Sequence, residues 1–356
     1  MNEPMAILSA FAVCGEPVSC HRTGEGHINC TYLVSCSSGR RYILQRINTS
    51  VFKDPVGLMN NIQAVTSHIA AKIRDPRRVL HIVETRGGRL FYTSEDGSAW
   101  RVFDYVEGSL CLQAPESTAD LYESAVAFGT FQQQLLDFPA SQLSETIPNF
   151  HNTPDRYRIF RETVRRDPLG RASAVQAETE FVLRCEEKAC RITKLLEQNE
   201  LPLRVTHNDT KLNNVLLDAR TRKALCVVDL DTVMPGSLLF DYGDAIRSGA
   251  ATGREDDRDC ESVSLRLDMF RAFTEGFLHA CPGLTPLEKQ LLPLGAYTMT
   301  LECGLRFLTD HIDGDRYFGA SREGHNLDRC RTQFKLVSDM ENNWQQMEDI
   351  VKELCL

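Results

Sequence analysis

The chain has 356 residues, of which 42% are hydrophobic and 25% charged, so it has the composition of an ordinary globular protein and the length for two lobes. Its formal net charge of -9 argues against a duplex nucleic-acid partner, which requires a basic face. No apolar stretch approaches the roughly 20 residues that span a bilayer, and the first residues lack the basic start of a signal peptide. We therefore expect no nucleic-acid partner, no membrane partner and a cytoplasmic location.

The first third of the chain has the pattern of a small sheet with one helix. A hairpin is predicted around Gly39, because β-forming side chains dominate on both sides of it. A later stretch has apolar side chains at helical spacing and ends before a proline. The predicted strands cover residues 29–35, 41–47, 79–85, 89–93 and 99–106, and the predicted helix covers 54–73.

The rest of the chain is mainly helical, with a polar, proline-containing loop predicted at 137–167 and short β-like runs within 205–233. This order predicts an α+β fold with two lobes. The small lobe covers residues 1–107, a hinge lies at about 102–108, and the large lobe covers 108–356. The predicted helices of the large lobe cover 120–136, 177–198, 262–279 and 286–311.

The strongest motif lies in residues 206–217 (THNDTKLNNVLL), which have the form H-x-D-x4-N, and an apolar run ending in Asp229 follows. Phosphoryl transfer requires a carboxylate beside the acceptor hydroxyl and a cation that neutralises phosphate charge. Asp209 is the candidate catalytic base. Asn214 and Asp229 are the candidate ligands of Mg²⁺, which prefers oxygen ligands. His207 is expected to hold the loop rather than to react.

The same motif resembles the catalytic and metal motifs of the aminoglycoside and choline kinase superfamily. Longer strings resemble the N-acetylhexosamine 1-kinase family within it. These strings are residues 24–29 (GEGHIN), 42–48 (YILQRIN), 51–55 (VFKDP), 206–215 (THNDTKLNNV), 228–247 (VDLDTVMPGSLLFDYGDAIR) and 301–313 (LECGLRFLTDHID).

The resemblance implies a protein-kinase-like two-lobed fold, the cofactors ATP and Mg²⁺, a small-molecule sugar acceptor, a sugar 1-phosphate as the product, and a monomer. It places the base on Asp209 and the metal ligands on Asn214 and Asp229, with Asp231 as a further candidate ligand. It also implies that Asp241 braces the catalytic loop.

The strand after the glycine-rich turn departs from the usual kinase pattern, in which a Lys on this strand pairs with a Glu on the next helix. Arg46 is the preferred nucleotide contact, because Leu44 would then face the adenine, and Gln45 is the alternative. Helix 54–73 contains no Glu, so a Lys–Glu pair is absent. The phosphates are then held by metal and backbone, or by an Arg without an ionic brace.

Two other segments supply candidate nucleotide contacts. Gly26 and Asn29 belong to the glycine-rich turn, whose backbone N–H groups would cover the phosphates. Asp104 and Val106 belong to the hinge, where an extended backbone offers adenine one donor and one acceptor.

The candidate acceptor contacts lie in residues 302–317, which supply charged side chains and an aromatic ring. They are Arg306, Asp310, Asp313 and Tyr317. Since Arg306 and Asp310 are four residues apart, an ion pair within one helix is the alternative interpretation.

Two other functions stay open. One is a kinase for another small alcohol, namely choline, homoserine or an aminoglycoside. The other is a nucleotide-binding pseudokinase, which the missing Lys–Glu pair would allow and the intact Asp209, Asn214 and Asp229 oppose.

Overall fold

The structure is a computed structural model that describes residues 3–24 and 28–356. The first part of the described chain is a small lobe that consists of an antiparallel sheet and two helices. The strands are β1 (Pro17–Arg22), β2 (Cys30–Cys36), β3 (Arg41–Ile47), β4 (Ile82–Val83), β5 (Tyr92–Thr93) and β6 (Ala99–Asp104), and the helices are α1 (Glu3–Leu8) and α2 (Pro55–Ala70). Their order in the sheet is β1-β2-β3-β6-β4, and β5 also pairs with β6.

The two faces of this sheet pack against different parts of the molecule. Leu44 and Val102 lie on the face that packs with α1. Ile47 and Phe103 lie on the other face, where they pack with α2 and with apolar residues of the large lobe. This second face is therefore the one that looks into the cleft between the lobes.

Helix α2 begins where the sequence predicts it. The Asp54 side chain caps it by accepting hydrogen bonds from the Val56 and Gly57 N–H groups at 3.1 and 3.0 Å, and Pro55 occupies its first turn. The buried Asn61 Nδ2 donates to the Val233 carbonyl of the large lobe at 2.9 Å. A polar side chain thus fixes the position of α2 relative to the large lobe.

The large lobe begins after the hinge and is mostly helical. Its strands are β7 (Ser109–Cys111), β8 (Arg204–Thr206), β9 (Val215–Asp218), β10 (Ala224–Val227) and β11 (Met234–Gly236), with β9 between β7 and β10 and with β8 paired to β11. Its helices are α3 (Thr118–Gln134), α4 (Thr153–Arg166), α5 (Gln176–Arg184), α6 (Glu186–Ala189), α7 (Arg191–Glu197), α8 (Leu238–Gly249), α9 (Leu267–Ala280), α10 (Pro286–Gln290), α11 (Leu292–Asp313), α12 (His325–Asn342) and α13 (Trp344–Leu354). None of these described helices is long and apolar enough to cross a membrane.

Helices α8 and α11 form the centre of the large lobe, and their backbones approach closely at two glycines. A Cβ atom on Gly243 would lie 2.1 Å from the Gly295 carbonyl oxygen, and one on Gly295 would lie 2.7 Å from the Leu239 carbonyl oxygen. Only glycine permits this approach. It brings the polar side chains of both helices to one side of the lobe.

The structure differs from the sequence prediction mainly at residues 137–167, where a loop was expected and α4 covers Thr153–Arg166. Pro154 indicated a break, but it lies in the first turn of the helix, where its missing N–H has no intrahelical acceptor to lose. The Asn152 side chain caps the same turn by accepting from the Asp155 N–H at 3.1 Å. This helix forms one wall of the large-lobe site described below.

Candidate active site

The motif residues 207–214 form a loop, called the catalytic loop below, whose backbone is held by side chains of α8. Asp241 accepts hydrogen bonds from the His207 N–H at 2.8 Å and from the Asn208 N–H at 2.7 Å. Asp244 accepts from the Thr210 N–H at 2.9 Å. Asn208 has a left-handed φ of 65°, a conformation that such contacts must stabilise. Asp241 therefore makes the contacts expected of a residue that braces this loop.

His207 joins the catalytic loop to the strand that leads to Asp229. Its Nε2 lies 2.9 Å from the Val228 carbonyl oxygen, which can only accept, and its Nδ1 accepts from the Asp209 N–H at 3.3 Å. These partners select the neutral tautomer that carries its proton on Nε2. The ring is buried and packs edge-on against Phe128. His207 is placed to position the loop.

Asp209 is the accessible carboxylate of this loop, with 33% of its side chain exposed. One carboxylate oxygen lies 3.0 Å from Lys211 Nζ, and the other accepts from Asn214 Nδ2 at 3.0 Å. The Asp209 carboxylate raises the pKa of Lys211, which therefore stays protonated. Asn214 Oδ1 accepts no hydrogen bond within residues 3–24 and 28–356, so this oxygen is available to a cation.

Asp229 lies at the start of a 3-10 turn with a left-handed φ of 59°. Its side chain is solvent-accessible but lies deep between the lobes, and this enclosure, together with Asp231 and Asp209, raises its pKa to about 7. Three carboxylates are thus crowded together. In the part of the chain that the structure describes, no group of three or more His, Cys, Asp or Glu side chains could hold a metal by itself. A divalent ion here would need further ligands, such as phosphates.

The cleft face of the small lobe carries a buried arginine that the motifs do not include. Arg101 on β6 is 1% exposed and forms an ion pair with Asp231. Its Nε donates to Gln45 Oε1 at 2.9 Å, because Gln45 and Arg101 are cross-strand partners on β3 and β6. Gln45 is therefore on the cleft face.

Arg46 does not have the placement that the sequence suggested. It is exposed and lies on the opposite face of β3 from Gln45, with its guanidinium 3.7 Å from Cys30 Sγ. Leu44 shares that face and is buried against α1 rather than facing the cleft. Since side chains alternate along a strand, the alternative register with Gln45 in the cleft is the one observed.

The segment predicted as the hinge, residues 102–108, includes the end of β6 and the connection to β7. The Asp104 side chain lies 2.8 Å from His81, measured from Oδ2 to Nδ1, and its N–H donates to the His81 carbonyl at 3.0 Å, so its carbonyl oxygen is the group left for a ligand. The Val106 carbonyl accepts from Ser109 Oγ at 2.7 Å. The Val106 N–H has no protein acceptor among the described residues, which leaves it free to donate to a base in the cleft.

The glycine-rich turn is only partly described, and Gly26 lies outside the described residues. Asn29, at the end of this turn, donates from Nδ2 to Asp231 at 2.5 Å and accepts from the Asn48 N–H at 2.9 Å. Asn29 thus links the small lobe to the loop after Asp229 rather than standing free in the cleft.

The four candidate acceptor residues fall into two groups. Arg306 donates to the Tyr317 hydroxyl at 3.3 Å, and Tyr317 is 63% exposed. Asp310 is buried, and its carboxylate accepts from the backbone N–H groups of the turn at 316–318 at 2.8–2.9 Å. Asp313 forms a surface ion pair with Arg166. Arg306 and Tyr317 remain available to a ligand, whereas Asp310 and Asp313 already have partners, which argues against the substrate contacts predicted for them.

A second set of polar residues, which the sequence did not indicate, lines the same region. Glu302 is buried and accepts from Thr153 Oγ1 at 2.6 Å, and its other oxygen lies 2.7 Å from His151 Nδ1. His151 Nε2 is buried and has no hydrogen-bond partner among the described residues. Asp244 pairs with Arg247 at 2.7 Å and is close enough to His151 for the two to interact electrostatically. This polar wall therefore extends from the catalytic loop to Glu302.

Comparison with known proteins decides the family. The profile of the phosphotransferase enzyme family (APH) matches residues 19–272, which is more than half of the chain. The chain belongs to this family. The match confirms the superfamily resemblance and makes the chain a small-molecule phosphotransferase; it does not extend to the hexosamine kinases.

Solved structures of other phosphotransferases share the fold of this family member. An aminoglycoside phosphotransferase from Alicyclobacillus acidocaldarius is 14% identical, with a TM-score of 0.65 over 97% of this chain and 96% of that chain. A microcompartment-associated aminopropanol kinase is 15% identical, with a TM-score of 0.64 over 97% of both chains. A spectinomycin phosphotransferase, solved with ADP and spectinomycin, is 12% identical, with a TM-score of 0.60 over 96% and 97%. These likenesses confirm the predicted kinase-like α+β fold and carry no acceptor assignment.

Within this phosphotransferase, two functional candidates escaped the sequence interpretation. Lys211 lies inside the motif and differs from its neighbours in being a cation beside the candidate base. Arg101 lies in the apolar run AWRVFD, and a charged residue in the middle of a buried strand was the available signal. The contact between His151 and Glu302 had no such signal, because it joins residues 151 positions apart.

Proposed function

We propose that this phosphotransferase uses ATP and Mg²⁺ to phosphorylate the anomeric hydroxyl of N-acetylhexosamines, giving the sugar 1-phosphate and ADP. The observation that carries the transfer is the arrangement of Asp209. Its carboxylate is accessible, is flanked by Lys211 and Asn214, and lies near Asp229. This arrangement supports transfer to a hydroxyl rather than nucleotide binding alone.

Asp209 acts on the acceptor. It accepts the proton of the hydroxyl as the oxygen attacks the γ-phosphorus and the bond to the ADP leaving group breaks. Lys211 stays protonated beside Asp209 and stabilises negative charge on the transferred group. Asn214 keeps the Asp209 carboxylate oriented through its 3.0 Å hydrogen bond.

Asn214 and Asp229 would hold the Mg²⁺ ion. Asn214 has an oxygen without a protein donor, and Asp229 is crowded by two other carboxylates, so the residues present fit a hard divalent cation. When bound there, Mg²⁺ would neutralise negative charge on the phosphates. Val106 would donate its free N–H to the adenine, and the Asp104 carbonyl would accept from it.

The charges on the acceptor side favour a neutral acceptor. Every acidic side chain of α8 and α11 already has an internal partner: Asp241 and Asp310 accept from backbone N–H groups, Asp244 pairs with Arg247, Glu302 with His151, and Asp313 with Arg166. Arg306 has no carboxylate partner among the described residues. A polycationic aminoglycoside or choline would find no free carboxylate on these helices, whereas a sugar needs only hydrogen bonds.

The specific acceptor is supported by the strings that resemble the hexosamine 1-kinases, which include the catalytic loop and residues 301–313. Protein groups that hydrogen-bond the acetamido group lose their partners when a sugar without it binds, so such a sugar binds less favourably. We therefore expect N-acetylated sugars to exceed glucose and galactose in kcat/KM. Arg306 and Tyr317 are the proposed contacts to the sugar.

The test incubates the full chain with ATP and Mg²⁺ and one acceptor at a time: N-acetylglucosamine, N-acetylgalactosamine, glucose, galactose, choline or kanamycin. ADP release gives kcat/KM, and phosphorus NMR identifies the product. The expected product is an anomeric phosphate of both N-acetylated sugars. A C6 phosphate, or a higher kcat/KM for choline or kanamycin, would contradict the acceptor assignment and leave the phosphotransferase assignment intact.

A further inference from the structure

A buried ion pair joins the two lobes beside the turn that begins at Asp229, the candidate metal ligand. Arg101 belongs to the small-lobe sheet, and Asp231 belongs to the large-lobe turn that starts at Asp229. Their side chains are 1% and 4% exposed. Burial of two charges carries a large desolvation cost, so a pair with no further use is a poor source of stability. Its position suggests a use.

Both members of the pair are held by amide side chains. Gln45 accepts from Arg101 Nε at 2.9 Å and donates to Thr31 Oγ1 at 3.0 Å. Asn29 donates to the second oxygen of Asp231 at 2.5 Å. Arg101 Nη2, in contrast, makes no hydrogen bond to the described residues. Hydrogen bonds from Nε and Nη1 therefore fix the orientation of the guanidinium, and Nη2 is left as a donor.

The pair also occupies the place of a missing interaction. Kinases usually hold phosphates with a strand Lys that a helix Glu orients. Here Gln45 stands on the cleft face of that strand, and α2 has no acidic residue to offer; its Met59 sulfur lies 3.9 Å from Arg101. The cation next to Gln45 is Arg101 on the neighbouring strand β6. Its carboxylate partner, Asp231, comes from the turn after Asp229 and not from α2.

We propose that Arg101 is the residue that binds the donor phosphates, and that Asp231 holds it in place until nucleotide arrives. Phosphate oxygens and a carboxylate are alternative partners of the same planar guanidinium, so they compete for it. The proposal rests on the proposed function only in that the donor is a nucleotide, and not on the identity of the acceptor.

The proposal predicts effects of opposite sign for the two partners. Asp231→Asn removes the competing carboxylate, so ADP without metal should bind severalfold more tightly. Arg101→Gln removes the phosphate contact, so ADP should bind roughly 10–100-fold more weakly, as expected for a lost charged hydrogen bond. Arg101→Lys should restore part of the affinity because it keeps the positive charge but lacks the planar pair of N–H donors of the guanidinium.

Arg46→Gln is the matched control, since it removes the same charge from an exposed side chain on the opposite face of the neighbouring strand. The measurement is isothermal titration calorimetry of the full chain with ADP in EDTA, repeated with Mg²⁺, after thermal unfolding has shown that each variant is folded. Arg46→Gln should bind ADP like the wild type. If Arg101→Gln does not fold, the contrast between Arg101→Lys and Asp231→Asn carries the test.

Two results would overturn the proposal. ADP affinity unchanged in Arg101→Gln and Arg101→Lys would mean that Arg101 does not contact phosphate. Weaker ADP binding in both Asp231→Asn and the Arg101 variants would mean that the ion pair only maintains the cleft. Wild-type protein that binds neither ADP nor GDP would overturn the proposed function as well, which separates the two failures.

Discussion

The catalytic loop and the polar wall near Glu302 differ in how accessible their carboxylates are. In the loop and the turn after it, Asp209 and Asp229 are accessible, and the loop backbone on both sides of Asp209 is fixed by Asp241 and Asp244. In the wall formed by α4, α8 and α11, Glu302 and the other carboxylates are bound by protein donors. The first region keeps Asp209 and Asp229 open to solvent even though Lys211 pairs with Asp209, whereas the second region encloses its carboxylates among protein donors.

The difference agrees with the ligands proposed for each region. The proposed donor nucleotide brings a cation with it, and that cation would be favoured at Asp229, whose pKa is raised first by burial and then by the nearby Asp231 and Asp209. A neutral acceptor brings no counter-ion, so a free buried carboxylate would carry a desolvation cost without compensation. Changes to the two regions should therefore affect donor and acceptor constants separately.

The largest expected effect is that of Asp229→Ala. Turnover should fall by more than about 10³-fold, because a bound cation supplies several kcal/mol of transition-state stabilisation. Calorimetry should show that Mg²⁺ no longer tightens ADP binding. Asp259→Ala, in an exposed loop, is the control. If Mg²⁺ still tightens ADP binding to the variant, the metal ligand lies elsewhere, with Asp231 the first candidate.

Asp209→Asn should lower kcat by ~10²–10⁴-fold, the contribution of a general base, while ADP binding stays within twofold. The amide can still accept from Asn214, so the loop should keep its conformation. Steady-state kinetics and calorimetry on the same preparation separate the two effects, with Asp259→Asn as the control. Near-normal kcat would remove Asp209 from the proton-transfer role.

The local geometry of the catalytic loop could be predicted from the sequence because its motif residues are close along the chain. His207, Asp209 and Asn214 lie within one turn-forming segment, so their spacing alone fixes much of their geometry. The α+β order and the hairpin β2–β3 were also predictable, since periodicity and turn residues are local.

The face of β3 was not predictable, because both of its faces are apolar. Tyr42 and Leu44 pack against α1, while Ile43 and Ile47 pack toward α2. Alternation therefore shows which side chains share a face of β3, but not which face is in the cleft. Packing against α2 and the large lobe decides which face of β3 is in the cleft. Arg101 depends on tertiary structure still more, because its partner Asp231 is 130 residues away.

On the acceptor side, Arg306→Ala should raise the KM of the sugar by roughly 10–100-fold and leave the KM of ATP unchanged, because a hydrogen bond from a charged group is lost. Arg306→Lys should recover part of the loss. The opposite result, a raised KM for ATP alone, would place Arg306 on the donor side and remove the distinction between the two regions.

The smallest effect on catalysis is expected from Asp310→Asn and its neighbour Asp313→Asn. Asp310 accepts three backbone N–H groups of the turn that presents Tyr317, and one of its oxygens also accepts from Asn326 Nδ2. An amide at this position turns an NH₂ group toward some of these donors, which should cost about 1–3 kcal/mol of unfolding free energy.

Among residues 3–24 and 28–356, the partner of Asp313 is Arg166, whose side chain is 62% exposed, so Asp313→Asn should change the unfolding free energy by less than about 1 kcal/mol. Urea unfolding measures both variants. Sugar KM should rise modestly in Asp310→Asn, because the turn that carries Tyr317 loosens, and should not change in Asp313→Asn. A stable Asp310→Asn with a sharply raised sugar KM would show that this carboxylate binds the acceptor directly, and that the wall does keep one carboxylate for its ligand.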